Sequence, residues 1–256
     1  MSFFNKALAS IGIGAATVDT KLVNDRLIPG EEVRGIVKIK GGSTEQQIDT
    51  IYLSLVTTYI KESNDTKVQK QATIESIKLV DPFTIGPNEK KEFPFQFVLP
   101  YETPVTMGNT KVWIQTGLDI KNAVDPSDRD FIDVMPSTII SAVLKAAADI
   151  GFRLRKVECE AAPYRLKTRQ PFVQEFELVP TSGAYRGRLD EIEFMFLNQT
   201  DNQVDVWMQV DRKARGLGSF LSEALEMDES HVNFTVTKQD LPNIEQKLMS
   251  IIQKYS

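Results

Sequence analysis

Apolar side chains recur at every second residue in segment after segment of this sequence. In Glu32 to Lys40, Val33, Val37 and Ile39 alternate with Glu32, Arg34, Lys38 and Lys40, and Gly35 takes the remaining place on the apolar side. Ile51, Leu53, Leu55 and Thr57 oppose Tyr52, Ser54, Val56 and Thr58. Phe93, Phe95, Phe97 and Leu99 alternate with Glu92, Pro94, Gln96 and Val98, and Val112, Ile114, Leu118 and Ile120 continue the pattern around Gln115 and Asp119. Successive side chains of a strand point to opposite faces, so this spacing predicts antiparallel strands with one buried face and a mostly β fold. Pro94 lacks a ladder donor and predicts an edge strand or a bulge. Pro29-Gly30 and Gly86-Pro87-Asn88 read as turns.

A polar stretch from Asn122 to Asp130 interrupts the alternation and predicts a domain boundary. The 256 residues then divide into a sandwich over 1–124, a second over 125–239 and a helix over 240–256. A short amphipathic helix is expected within Met1 to Gly14, from Phe4, Leu8 and Ile11. Phe131 to Met135 reads as a strand entering the second half. Ile139, Ile140, Val143, Leu144, Ala147 and Ile150 then predict a helix ending at Gly151. Only Lys145 and Asp149 are charged over 138–150, so the helix is expected at the domain junction or in a homodimer interface. Alternation resumes over Phe172 to Val179. Ile192, Phe194 and Phe196 form a hairpin with Val204, Val206, Met208 and Val210, and Val232, Phe234 and Val236 a late strand. Asp240 is expected to cap the last helix, with Pro242 in its first turn.

Thirty Lys and Arg against 35 Asp and Glu leave a net charge of -5, which argues against general attraction to nucleic acid or anionic lipid. The single cysteine, Cys159, allows no internal disulfide, and no stretch approaches a membrane span. The N-terminus imitates a signal peptide weakly, with one Lys6 before a short apolar run; the expected location is the cytoplasm.

The chemistry-bearing side chains are sparse. His231 is the only histidine, which removes a histidine metal cluster and leaves any triad dependent on a residue at a strand start. Cys159 stands between Glu158 and Glu160, neighbours that disfavour a thiolate. Gly12-Ile13-Gly14 lacks the strand-before, helix-after setting of a dinucleotide loop. Asp125, Asp128, Asp130 and Asp133 lack calcium-loop spacing, and Glu191 with Glu193 reads as an exposed strand face. No catalytic residue, metal or cofactor is expected. The candidate partner-binding group is Arg212, Lys213 and Arg215, ahead of Gly216-Leu217-Gly218, a loop suited to an acidic or phosphorylated partner. The alternative is that these cations pair with the protein's own acids.

Two segments carry a family likeness: Gly14 to Thr20 running into Leu27-Ile28-Pro29-Gly30-Glu31-Glu32 and the strand through Gly42, and Val210-Asp211-Arg212-Lys213-Ala214-Arg215-Gly216-Leu217-Gly218-Ser219-Phe220. Together with Ile85-Gly86-Pro87-Asn88 before Phe93 to Pro100, they resemble the SpoOM-type sporulation-control proteins, a bacterial branch of the arrestin-like clan. In that likeness Pro29, Gly30 and Gly35 form the structural turn element ahead of and within a strand. The resemblance implies two tandem arrestin-like sandwiches and a regulatory role early in sporulation, with no catalytic residues. The expected protein is a non-enzymatic adaptor for protein partners, with a self-associating scaffold as the alternative. A carbohydrate-active sandwich would need a pair of facing carboxylates in a cleft.

Overall fold

The computed structural model describes residues 15–63, 66–120, 125–212 and 229–255. The expected helix over Met1 to Gly14 and the run Gly12-Ile13-Gly14 lie outside these residues, as do Lys213 and Arg215. The chain forms two compact units, and the mostly β class expected from the alternation is what it adopts.

Unit 1 comprises the described residues up to Thr58, with Gln71–Thr103 and Lys111–Val134. Its three-stranded sheet has β3 (Glu32–Lys40) between β1 (Thr17–Leu22) and β7 (Lys90–Val98). The facing sheet is built on β4 (Gln46–Ser63), which pairs with β5 (Thr66–Val80), β6 (Phe83–Ile85) and β8 (Val112–Ile120). β8 pairs with β9 (Ser127–Val134), which meets the two-residue β2 (Arg26–Leu27) in parallel. Val33, Val37 and Ile39 are buried, as are Ile51, Leu53, Leu55, Ile114 and Leu118. Thr20 and Thr116, from opposite sheets, share a buried hydrogen bond of 2.6 Å.

Two glycines set the geometry around β3. Gly30 takes φ +94°, its N–H donates to the Leu99 carbonyl (2.8 Å), and an added Cβ would lie 2.8 Å from the Tyr101 ring. At Gly35 an added Cβ would lie 2.5 Å from Phe95, so the strand can pass beneath that ring only without a side chain there. Pro94 stands opposite Ile36 in β7, which pairs with β3 alone among the described residues.

Unit 2 comprises Tyr59–Lys70, Pro104–Thr110 and the described residues from Met135 on. Its sheet is an antiparallel run of β10 (Phe152–Ala161), β11 (Phe172–Pro180), β12 (Leu189–Leu197), β13 (Gln203–Arg212) and β14 (Glu229–Thr237). The end of β4 joins it at one parallel pair, Glu160 with Ile60. Helices α1 (Thr138–Asp149) and α2 (Ile244–Tyr255) supply the opposing layer. Phe176, Leu178, Ile192, Phe194, Val206 and Met208 meet Val143 and Ala147 of α1 and Leu248 and Ile252 of α2 in one core.

Three placements differ from the expectations. β9 takes up Ser127 to Asp130 of the expected linker and the start of the second domain, because Ser127 to Ile132 pair along β8; the division falls after Val134 instead of after 124. The acids there serve backbone: Asp125 accepts from Ile120 N (2.9 Å) and Asp128 from Thr20 N (2.7 Å). α1 spends its apolar face inside unit 2, where Ile139, Ile140, Val143, Ala146 and Ala147 are buried. Asp240 is not the residue that caps α2. Thr237 caps the preceding 3-10 turn (Lys238–Asn243), and Asp240 sits three positions on, its carboxylate accepting from Thr237 N at 2.7 Å, a capping box.

Candidate functional site

The two faces of the unit 2 sheet differ in chemistry. The inner parity is core. The outer parity is mostly charged: Glu158, Glu160, Glu175, Glu177, Glu191, Glu193, Asp205 and Asp211. Three large apolar residues break that polar row, Val173, Met195 and Trp207, all buried and packed with Ala162, Leu166 and Leu197. This smaller apolar cluster lies on the polar parity of three adjacent strands, apart from the main core of the unit. Of this cluster Trp207, Leu166 and Leu197 line a surface cavity of about 540 Å³, whose other walls are residues of β13, β14 and the connection between β10 and β11.

That connection is a built loop. Ala162 N donates to the Pro171 carbonyl (3.0 Å) and closes it, Leu166 N donates to the Pro163 carbonyl (2.9 Å) in a 3-10 turn (Tyr164–Leu166), and Thr168 Oγ1 donates to the Gln170 carbonyl (2.7 Å). Lys167 ends the turn in the left-handed region at φ 46°. The result places the Arg165 guanidinium 4.5 Å from the Trp207 ring centroid, a cation–π stack. Stacking fixes the planar fork while leaving its in-plane N–H groups to bind something else. Tyr164, beside it, is 98% exposed.

Asp205 lines the same cavity. Asn198 Nδ2 donates to its Oδ2 (3.0 Å) and Thr235 Oγ1 to its Oδ1 (2.7 Å), so both carboxylate oxygens are held by neutral donors. Asn198 reaches this position from the tight β12–β13 turn, with φ 46°. His231 stands against the Trp207 ring at 4.8 Å between centroids, on the same outer face. The arrangement offers an aromatic floor, one stacked cation and amide and hydroxyl groups on the walls. It is suited to holding an extended polar segment with an anionic group.

Other titratable groups sit elsewhere. Arg155 bridges Glu177 and Glu191, and Lys156 pairs with Glu158 and Glu160. Glu175 is pushed up to about 7, chiefly by burial and next by the charge of Glu160. In unit 1, Asp130 is pushed up to about 6 by burial and then by Asp128. Burial holds the Cys159 thiol at about 12, so it stays protonated at neutral pH. No group of three or more His, Cys, Asp and Glu placed to hold a metal ion occurs among the described residues, and no helix there is long and apolar enough to cross a membrane.

Of the candidate partner-binding trio, the structure describes only Arg212, the last residue of β13, in register with Leu189. The groove itself was absent from the expectations. Its signal in the sequence is parity: Trp207 and Met195 fall among Asp205, Gln209, Asp211, Glu191 and Glu193 on the side of each strand that is otherwise charged or polar.

Comparison with known proteins adds three findings. The family model described as "SpoOM protein" matches residues 4–214. The chain is 45% identical over 259 residues to the sporulation-control protein spo0M of Bacillus subtilis (strain 168), covering the full length of both. It also matches the crystal structure of Spo0M from Bacillus subtilis with a TM-score of 0.86 at 44% identity, over 95% of this chain and 100% of that one.

Proposed function

Because the chain belongs to the SpoOM protein family, we propose that it is a non-enzymatic regulatory adaptor, acting in the cytoplasm to control an early stage of sporulation by binding protein partners on the outer face of unit 2. The similarity to a sporulation-control protein along the full length supports the regulatory role. The observation that carries the binding role is the Arg165–Trp207 groove, where an apolar floor and an oriented cation stand on a sheet face that the core does not use. Buried aromatics beside an arginine are what protein-recognition hot spots are made of. The apolar α1, which favoured a self-associating scaffold, packs within unit 2 and no longer supplies a reason for that reading.

The test compares in-cell crosslinking of the parent with Arg165→Glu in sporulating cells, scoring the partner recovered and the sporulation frequency. Arg165 is exposed and can be reversed in charge without opening the core, so the variant is expected to stay folded. It is expected to lose the reproducible partner and to shift sporulation frequency as a deletion does. A variant with unchanged partner recovery and unchanged sporulation would remove the groove from the function.

A further inference from the structure

β14 is the last strand of its sheet: it pairs with β13 and with no other strand among the described residues. Hydrogen-bonding groups alternate from side to side along a strand. Lys238 N donates to the Asn202 carbonyl (2.9 Å), which fixes the phase: Val232, Phe234 and Val236 turn their backbone groups toward β13, and His231, Asn233, Thr235 and Thr237 turn theirs outward. The protein covers one half of this open edge itself. Lys247 Nζ donates to the Thr235 carbonyl (2.7 Å), and Asp240 accepts from Thr237 N (2.7 Å). The other half carries no such cover among the described residues, leaving the N–H and C=O of His231 and Asn233 and the N–H of Thr235.

The edge of β7 is treated differently. Leu99 N and O both bond back toward the β3 side, so Pro94 falls at an outward position and deletes a donor in the middle of that edge, between Lys90 and Glu92 on one side and Gln96 on the other. Proline and charge are the usual devices against strand addition. From Ser230 to Thr237 β14 has neither, and it alternates Val232, Phe234 and Val236 with short polar residues.

The groove lies directly beside this open half, since Asn233 and Thr235 line it. Its open hydrogen-bonding capacity is on the cation: both Asp205 oxygens already accept from Asn198 and Thr235, whereas Arg165 has no carboxylate partner within 4 Å among the described residues. We propose that an extended acidic segment of a partner protein adds to the open half of β14 as a further strand and delivers a glutamate carboxylate to Arg165. The inference rests on the adaptor reading and names the partner's chemistry. Strands lie about 4.8 Å apart, so the added backbone would run roughly 10 Å from the strand that carries Trp207. Glutamate has the longer of the two acidic side chains, so on the outer face it covers more of that gap toward the guanidinium than an aspartate would. A doubly charged phosphate would crowd the carboxylate of Asp205, which favours a single carboxylate.

The probe is a soluble blocked peptide of ten residues, alternating threonine and valine with one central glutamate, titrated against the full chain by fluorescence anisotropy. Its glutamine counterpart, a phosphothreonine counterpart and a version N-methylated at alternate residues serve as comparisons. The glutamate peptide is expected to bind roughly tenfold tighter than the glutamine peptide, as one charge-assisted hydrogen bond gives, and N-methylation to abolish binding. Arg165→Gln should erase the glutamate preference, and bound peptide should slow amide exchange at His231 and Asn233. Asn233→Pro removes only an outward donor and should block binding while the fold is retained; if that variant does not fold, the N-methylated peptide makes the same test. Equal affinity of the glutamate and glutamine peptides, tighter binding of the phosphothreonine peptide, or unchanged exchange at His231 and Asn233 overturns the proposal. If the peptide fails while Arg165→Glu still abolishes partner capture in cells, strand addition falls and the adaptor reading stands. If Arg165→Glu leaves capture unchanged, the groove is removed from the function and the strand-addition proposal falls with it.

Discussion

Glu175 shows how a single side chain can record the price of a crowded face. It stands opposite Glu158 and two residues along from the Glu160–Val173 pair, with Lys156 and Lys67 too few to compensate, and its carboxyl is held at about 7. In the unfolded chain a glutamate titrates near 4.3. The folded form therefore holds its proton more tightly, and the group destabilises the protein progressively as pH rises from about 4 through 7. Glu175→Gln should be indistinguishable from the parent in urea unfolding near pH 4 and more stable than the parent at pH 8. A parent whose margin over the variant is the same at both pH values would contradict that account. This coupling was not legible in the sequence, where Glu158, Glu160 and Glu175 look like ordinary exposed strand positions. It depends on the β10–β11 register, which alternation alone does not fix. Gly35 was legible, because a glycine on the apolar parity of a strand implies a large neighbour, and Phe95 is that neighbour.

At the level of single elements, alternation located most of the strands, though not β5, and spacing located both described helices. Misplacements arose where a polar stretch turned out to be bonded: Ser127 to Asp130 read as a linker, yet their backbone pairs along β8. The turn ahead of α2 is the element on which two tasks converge. Asp240 accepts from Thr237 N and Oγ1 and pairs with Lys247 (3.0 Å), so it caps the turn and covers the outward N–H of β14. Burial is not what lowers its pKa; the Thr237 backbone bond is the main cause. Asp240→Ala is expected to cost about 1–2 kcal/mol, read by urea denaturation, and to speed amide exchange at Thr237 well before global unfolding. A loss of stability below about 0.3 kcal/mol would mean the cap is redundant.

Across the whole molecule, each unit draws on the chain discontinuously. Unit 2 takes 59–70 and 104–110 from within the span of unit 1. Those borrowed pieces are well bonded: Gln174 Oε1 accepts from Val105 N (2.8 Å), its Nε2 donates to the Val105 carbonyl (2.7 Å), and Tyr59 stacks on Phe172 at 6.1 Å. A fragment of residues 135–256 should therefore be several kcal/mol less stable than unit 2 in the full chain, each lost bond removing about 1 kcal/mol and leaving Gln174 unpaired. Trp113 lies in unit 1 and Trp207 in unit 2, and they are the only two tryptophans, so single-tryptophan variants of the full chain report each unit separately. A fragment that unfolds at the same urea concentration as the Trp207 signal of the full chain would refute the point. No cut at a linker visible in the sequence could have revealed this interleaving, because 59–70 belong to the strands β4 and β5, and the irregular stretch 104–110 between β7 and β8 carries no mark of which unit it joins.

The long strand β4 carries one more implication, for the order in which the protein is made. Ile60 leaves the ribosome about 100 residues before Glu160, its partner in β10. At ordinary rates of translation that is a wait of roughly 5–20 s with an open strand end in a crowded cell. The nascent tip bears Lys61, Glu62, Lys67 and Lys70, charges of the kind that keep such an end from finding a stranger's strand before its own arrives.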